Sequence, residues 1–207
     1  IYSMPCQISA PEGSGWFRYE ITSLGELKGL KMRFFGLGAK VMEKLGVSTQ
    51  LIAPGDIFPA LELGTIDAAE LSFPALDLAL GFYEVAKHYY FPGWHQPITF
   101  GELMINLDDW NSISSTQQAI LQSVCKESIT RTLAESEAIQ FKALQELEDK
   151  GVTLHRWDPE ILSAFEAAWQ EVVAEEAAND SDFSRVWDSL RTFRENYKVW
   201  GDLGYID

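Results

Sequence analysis

The stretch LKMRFFGLGAKVMEKLGVSTQLI, residues 30–52, decides the fold. Leu30 to Phe34 is a compact run of strand character, set off by Gly29 in front of it. From Gly38 to Lys44 the spacing turns helical, with Val41, Met42 and Leu45 on one face and Gly46 as the stop. Ser48 to Ile52 is extended again. The alternation continues downstream: Pro54 and Gly55 punctuate, a helix runs from about Asp56 to Leu63, Gly64 ends it, and Ile66 to Ser72 reads as a further strand. Strands alternating with helices imply an α/β unit with a largely parallel sheet.

Upstream, Ile1 to Ser9 reads as a strand entering the loop Ala10 to Gly15, ahead of Trp16 and Phe17. Ser23 and Glu26 carry the capping pattern of a short helix. Beyond Asn111, Ser114, Ser115 and Thr116 offer N-caps, and a helical pattern without Gly or Pro runs to about Asp149. Leu121, Cys125, Ile129 and Leu133 repeat every fourth residue, and Phe141, Leu144 and Leu147 extend that face. Roughly 34 helical residues make a rod of roughly 50 Å, longer than a small domain is wide, so this helix is expected to run across two lobes or project beyond one, the alternative being a kinked pair of core helices. Two amphipathic helices follow, about Pro159 to Asn179 and Asp182 to Leu203. The last carries Trp187, Leu190, Phe193, Tyr197 and Trp200, apolar bulk that suits a core or a subunit contact.

The composition excludes several classes of function. With 46% hydrophobic and 13% aromatic residues the chain can bury a core. A net charge of −15 disfavours nucleic acid and anionic membrane surfaces, whose phosphates need clustered Lys and Arg. An anionic ligand would then need a local cation, either a well-placed Arg or a metal. No apolar run reaches the length of a membrane span, and no secretory signal stands at the start. Cys6 and Cys125 lie far apart in no metal-ligand spacing; the reading is two buried small apolar residues, with neither zinc site nor disulfide framework.

No P-loop, dinucleotide fingerprint, nucleophile elbow or His pair at metal spacing is present. His88, His95 and His155 read as structural histidines or as acid–base groups. Arg33 closes a strand between Met32 and Phe34, where a guanidinium would be partly buried and would need an anion, either a ligand carboxylate or an internal Asp or Glu. Glu70 lies at the carboxyl end of the strand expected from Ile66, where open α/β sheets bind ligands. Phe91 to Pro97 is a rigid turn carrying Trp94, His95 and Gln96.

Four segments carry a resemblance across nearly the whole chain: Gly15 to Arg18, Leu30 to Arg33, Ile57 to Leu61 with Gly64 to Ala68, and Pro92 to His95. Together they resemble the solute receptors of tripartite ATP-independent periplasmic (TRAP) transporters, the DctP family, in the branch that binds 2-oxo and 2-hydroxy monocarboxylates. The resemblance implies a periplasmic-binding-protein-like two-lobed α/β fold with a long lobe-spanning helix. Because family members are longer, it also implies that the amino-terminal lobe is missing. The expected division is 1–75 for the ligand-binding lobe, 76–110 for a partial second lobe with hinge strands, 111–150 for the bridging helix, and 151–207 for helices that complete the lobe and offer a dimer contact.

By the same resemblance, Arg33, Trp94 and His95 bind the ligand. Glu70, the Leu71 carbonyl and Glu12 hold a metal, Ca²⁺ with Na⁺ as the alternative; Gln7 takes the place of Glu12 if the register shifts. The family pattern more often has Trp at the Leu71 position, which a carbonyl ligand tolerates. The implied function is a periplasmic receptor handing pyruvate, lactate or a similar acid to a membrane permease, without catalysis and as a homodimer. Two rivals stay open: a small carboxylate-processing enzyme using Glu70 or His95, and an acidic helical interaction module.

Overall fold

Side chains alternate along a strand, so neighbouring apolar residues that are both buried mark a strand covered on two faces. Three such pairs stand side by side in the computed structural model of the chain, which describes residues 1–205. They are Trp16–Phe17, Ala68–Ala69 and Tyr89–Tyr90. The chain order is β1 (Tyr2–Ser9), β2 (Gly15–Phe17), β3 (Lys31–Arg33), α1 (Gly36–Lys44), β4 (Ser48–Gln50), α2 (Pro54–Glu62), β5 (Ala68–Ala69), α3 (Pro74–Leu80) and β6 (His88–Phe91). Then come β7 (Thr99–Ile105), α4 (Leu107–Ser112), α5 (Ser115–Asp149), β8 (Thr153–Arg156), α6 (Pro159–Asn179) and α7 (Ser181–Gly204).

Six strands form one sheet in the order β4-β3-β5-β2-β6-β8. Only β2 is reversed: it pairs antiparallel with β5 and β6, while β3–β4, β3–β5 and β6–β8 are parallel. One face buries Phe17, Met32, Ala68 and Tyr90 against Met42 of α1 and Ile161 and Phe165 of α6. The other buries Trp16, Ala69 and Tyr89 against Ile57 and Leu61 of α2 and Leu147 of α5. Each fully buried large side chain contributes about 1.5–3 kcal/mol, so the sheet is held by the pairing of its two faces rather than by the short ladders.

Outside this sheet, β1 and β7 form an antiparallel ribbon from Tyr2 opposite Ile105 to Ser9 opposite Thr99. The ribbon lies on the first half of α5, where Met4, Trp110 and Cys125 are buried and Tyr2 stacks on Trp110 at 3.9 Å between centroids. Helix α5 begins in a capping box between Ser114 and Gln117 and runs 35 residues. At 1.5 Å per residue that is about 52 Å. Cys125 therefore sits with the ribbon and Leu147 under the large sheet, and one helix ties the two units together.

Three expectations need correction. Cys6 and Cys125 form a disulfide between β1 and α5, closing a loop of sequence separation 119. Spacing along the chain says nothing of two residues that a long helix brings back to a strand. The strand expected over Ile66–Ser72 is only Ala68–Ala69, because after Glu70 the chain turns so that the Ser72 carbonyl accepts from Gly13 N–H. The apolar face of α5 is not wholly buried: Phe141 and Leu133 are exposed, while Ala143 and Leu147 take the core positions. Among the described residues no helix is long and apolar enough to cross a membrane.

Replacing Cys6 and Cys125 together by Ser removes the constraint on the unfolded chain and is expected to cost about 2–4 kcal/mol. Urea unfolding monitored by circular dichroism checks this, and the wild type should show the same loss after reduction.

Candidate functional site

Arg33 and Ala69 are paired neighbours at the ends of parallel strands β3 and β5, and the next residue, Glu70, donates its N–H to the Arg33 carbonyl at 3.1 Å. Both side chains leave the sheet at its carboxyl edge, where open α/β sheets place their ligands. Arg33 Nη1 donates to Glu70 Oε2 at 3.1 Å and also to the Glu70 carbonyl oxygen. Nε donates to the Ile52 carbonyl at 3.4 Å, and the guanidinium lies 5.2 Å from the Phe35 ring centroid. The side chains of this ion pair are 6% and 0% exposed.

Strand β6 runs parallel to β3 and β5, so the turn after it arrives at the same edge. That turn opens with a cis Phe91–Pro92 bond and carries Trp94, His95 and Gln96. His95 Nε2 lies 3.3 Å from Glu70 Oε1 and 3.8 Å from Glu12 Oε2. Glu12 comes from the loop between β1 and β2, which packs directly on the turn: a Cβ at Gly93 would overlap the Glu12 carbonyl, so only glycine fits. Glu12 N–H donates to the Gln96 carbonyl at 3.2 Å, and Gln96 Nε2 and Thr99 Oγ1 donate to Glu12 Oε1 at 2.9 and 3.1 Å.

Glu12, Glu70 and His95 thus present donor atoms within 4.8 Å of one another. Glu12 Oε2, Glu70 Oε1 and both ring nitrogens of His95 are buried without a hydrogen-bond partner among the described residues. Orphaned buried carboxylate oxygens are costly, and a cation is the group that satisfies several at once. The donor set fits one: two carboxylate oxygens for a hard ion, with an imidazole beside them. Burial raises the Glu12 carboxyl above its ordinary range, with the Glu70 charge adding to the rise and His95 opposing it. Burial disfavours the charged His95 ring, yet the two carboxylates prevail and raise it. Burial lowers Arg33, against the pull of Glu70 and Glu12.

The sequence candidates fall into place unequally. Arg33, His95, Glu70 and Glu12 meet, whereas Gln7 lies on β1 opposite Gly101, away from the cluster. Trp94 is half-buried, stacked on Phe165 at 4.8 Å, and with His95 it lines a cleft of about 280 Å³ between α1, α6 and α7. Leu71 follows Glu70 and packs its side chain into the Trp16–Tyr89 core. Of the two sequence readings of Arg33, the structure shows the internal pair, with Nη1 committed to Glu70, while Nη2 makes no hydrogen bond among the described residues.

Three neighbours escaped sequence reasoning. Gln96 and Thr99 hold Glu12 through one oxygen, and only the position of Gln96 in the rigid turn hinted at this. Asp77 of α3 is fully buried and accepts from Trp16 Nε1 and Tyr89 OH, both at 2.9 Å and both on Oδ2, while Oδ1 has no partner. Nothing in the spacing of an ordinary helical Asp marks it.

A mostly parallel sheet that gathers polar side chains at its carboxyl edge is the arrangement of an open α/β ligand-binding fold. The chain belongs to bacterial extracellular solute-binding protein family 7, DctP, whose signature matches residues 13–180. It is 34% identical over its full length to the monocarboxylate 2-oxoacid-binding periplasmic protein of Nostoc sp., of which it covers 57%. A TRAP transporter solute-binding protein of Bordetella bronchiseptica is 36% identical with a TM-score of 0.91; the match covers 97% of this chain and 60% of that one. That protein was solved as a mixed-occupancy dimer, one active site holding calcium and picolinate and the other apo. A TRAP periplasmic solute-binding protein of Pseudoalteromonas atlantica, solved with sodium and pyruvate, is 32% identical with a TM-score of 0.87 over 99% of this chain and 64% of its own. The chain therefore spans about three fifths of the length of these relatives.

Asp77 generates a prediction about pH. Burial pushes its carboxyl from 3.8 up to about 7, with Glu70 and Glu12 adding to the rise and the Trp16 and Tyr89 hydrogen bonds opposing it. Between those values the folded state holds a proton that the unfolded chain has lost, so stability falls as pH rises through the window. Asp77→Asn removes this slope and is expected to gain about 1 kcal/mol or more on the wild type between pH 5 and pH 8, read by urea unfolding at each pH.

Proposed function

We propose that this chain is the ligand-binding part of a periplasmic TRAP receptor that takes up a small 2-oxo or 2-hydroxy monocarboxylate together with a cation. The observation that carries the reading is the buried Glu12–Glu70–His95 cluster with unpartnered carboxylate oxygens, set beside Arg33 at the strand ends. Pyruvate and picolinate share one chemical feature: a donor atom on the carbon next to the carboxylate. Such acids close a five-membered chelate ring on a metal ion. The similar proteins with calcium and picolinate or sodium and pyruvate support the same chemistry here.

In this reading Glu12, Glu70 and the Leu71 carbonyl hold the cation, Arg33 Nη2 meets the acid's carboxylate, and His95 and Trp94 border its remaining atoms. Two carboxylates and the ligand's own outnumber one guanidinium, so a divalent ion balances the site best. Ca²⁺ also tolerates the irregular geometry of a site assembled from two loops and a strand end. The rival use of Glu70 or His95 in catalysis is disfavoured by membership in a family of solute-binding proteins. The six-stranded unit serves as the ligand-binding lobe, and the β1–β7 ribbon with the first half of α5 forms part of a second lobe. The membrane permease receives the loaded receptor.

Helix α7 supports a homodimer. None of its residues is buried, and Phe193 and Trp200 are 62% and 59% exposed. Apolar surface of that size on one helix face is expected to be covered by a second copy.

In the intact protein, Arg33→Lys is expected to weaken pyruvate binding by about 2–3 kcal/mol, because a planar fork becomes a point charge in a desolvated site. Calorimetry on metal-stripped protein with and without Ca²⁺ tests the cation, and equal affinities in the two titrations would refute the paired uptake. For assembly, sedimentation equilibrium should give a dimer, and Phe193→Glu with Trp200→Glu a monomer that still binds ligand.

A further inference from the structure

A second donor set of different chemistry lies at the opposite end of β6, away from the strand end that leads to His95. Strands β6 and β8 are parallel neighbours in which His88 is opposite Thr153 and Tyr90 is opposite His155. His88 and Tyr90 share one face of the sheet, so His88 and His155 are diagonal neighbours on that face. Their rings meet edge to edge, with His88 Nδ1 2.9 Å from His155 Nε2. We propose that His88 and His155 form a bidentate imidazole site for a transition-metal dication of the Zn²⁺, Ni²⁺ or Cu²⁺ class.

Three features favour a metal over a mere strand staple. The nitrogens already converge: metal–imidazole bonds of about 2.0–2.1 Å at a tetrahedral angle put two nitrogens about 3.3 Å apart, a few tenths of an ångström beyond their present separation. The His155 ring is held in place, stacked on Tyr90 at 4.5 Å and 10°. Tyr90 is itself fixed, since its hydroxyl accepts from Ile21 N–H at 2.7 Å and donates to the Ile21 carbonyl at 3.1 Å. Finally, the other nitrogen of His155, Nδ1, faces Glu20 Oε1 at 3.8 Å. A carboxylate on the side of the distal ring nitrogen is the usual neighbour of a metal-bound histidine, and at this distance Glu20 favours the tautomer with its proton on Nδ1 by charge rather than by a hydrogen bond.

The protons balance without a co-reactant. With Nδ1–H of His155 toward Glu20, His88 Nδ1–H donates to His155 Nε2. The metal displaces that hydrogen bond by lying off the line between the nitrogens as they part to about 3.3 Å, and His88 moves to its Nε2–H tautomer by exchange with water, so both rings ligate as neutral imidazoles. Burial and the neighbouring His88 lower the basicity of His155, which favours the neutral, ligating form. No ammonium competes at the site from the adjacent Lys87, whose Nζ donates to the Lys150 carbonyl. His155 is 15% and Glu20 56% exposed at the side chain, so water can fill the remaining coordination positions. Imidazole prefers borderline metals while the Glu12–Glu70 oxygens prefer hard ones, so the two sites need not compete for one ion.

The test is calorimetric titration of Zn²⁺ into the full chain kept saturated with Ca²⁺, with His88→Gln, His155→Gln and the double variant beside the wild type. One Zn²⁺ site is expected in the wild type, weakened about tenfold or more by either substitution and no further by both. Cu²⁺ should selectively broaden the imidazole resonances of His88 and His155 in the wild type, a readout that a folding defect in a variant cannot imitate. Zn²⁺ affinity unchanged in folded single variants, or Cu²⁺ broadening confined to His95, would overturn the proposal.

Discussion

Taking like charges out of water is the constraint around which this molecule is arranged. Glu70 is fully buried, Glu12 nearly so, and a single guanidinium stands among them. An ion pair at 3.1 Å offsets the desolvation of a buried carboxylate only when the remaining lone pairs also find partners. The fold gathers polar groups from three directions, yet leaves Glu12 Oε2 and Glu70 Oε1 without a partner among the described residues. Adjacent parallel strands set Arg33 against Glu70, the reversed strand β2 brings the Glu12 loop to the same edge, and the turn after β6 adds His95, Gln96 and Thr99. The aromatic pairs of β2 and β6 then act as more than filling. Their burial fixes where both loops leave the sheet, and a site accurate to a few tenths of an ångström needs its walls held by packing of this kind.

What could be read in the sequence follows the range over which each feature is encoded. Helices α1, α2, α5, α6 and α7 announce themselves through local period and stop signals such as Gly46, Gly64 and the uninterrupted run before Gly151. Arg33 and Glu70 were legible too, because ends of parallel strands are where an α/β sheet exposes functional groups. The pairing of β1 with β7, of β6 with β8, and of Cys6 with Cys125 was not, since each joins residues tens of positions apart and no local pattern records the partner. Glu12 entered as a candidate only through resemblance to a family, and His95 gained a ligand-binding role only that way, having read from the residues as a structural or acid–base histidine. Asp77 stayed hidden because its burial comes from Trp16 and Tyr89, which reach it from two other strands.

The same electrostatics bear on the choice of cation. The two carboxylates raise His95 against the effect of burial, and its Nε2 lies 3.3 Å from Glu70 Oε1 while Arg33 Nη1 holds Oε2 at 3.1 Å. In the proposed reading, a divalent ion between Glu12 and Glu70 would offset both carboxylates by itself. A monovalent ion offsets one, and the imidazolium can offset the other. Sodium with a protonated His95 and calcium with a neutral one are therefore nearly equal in total charge, although they differ in radius and ligand field. On charge alone, the proposed site would suit either ion. The position of His95, within reach of both carboxylates, is then as decisive for the site as the carboxylates themselves.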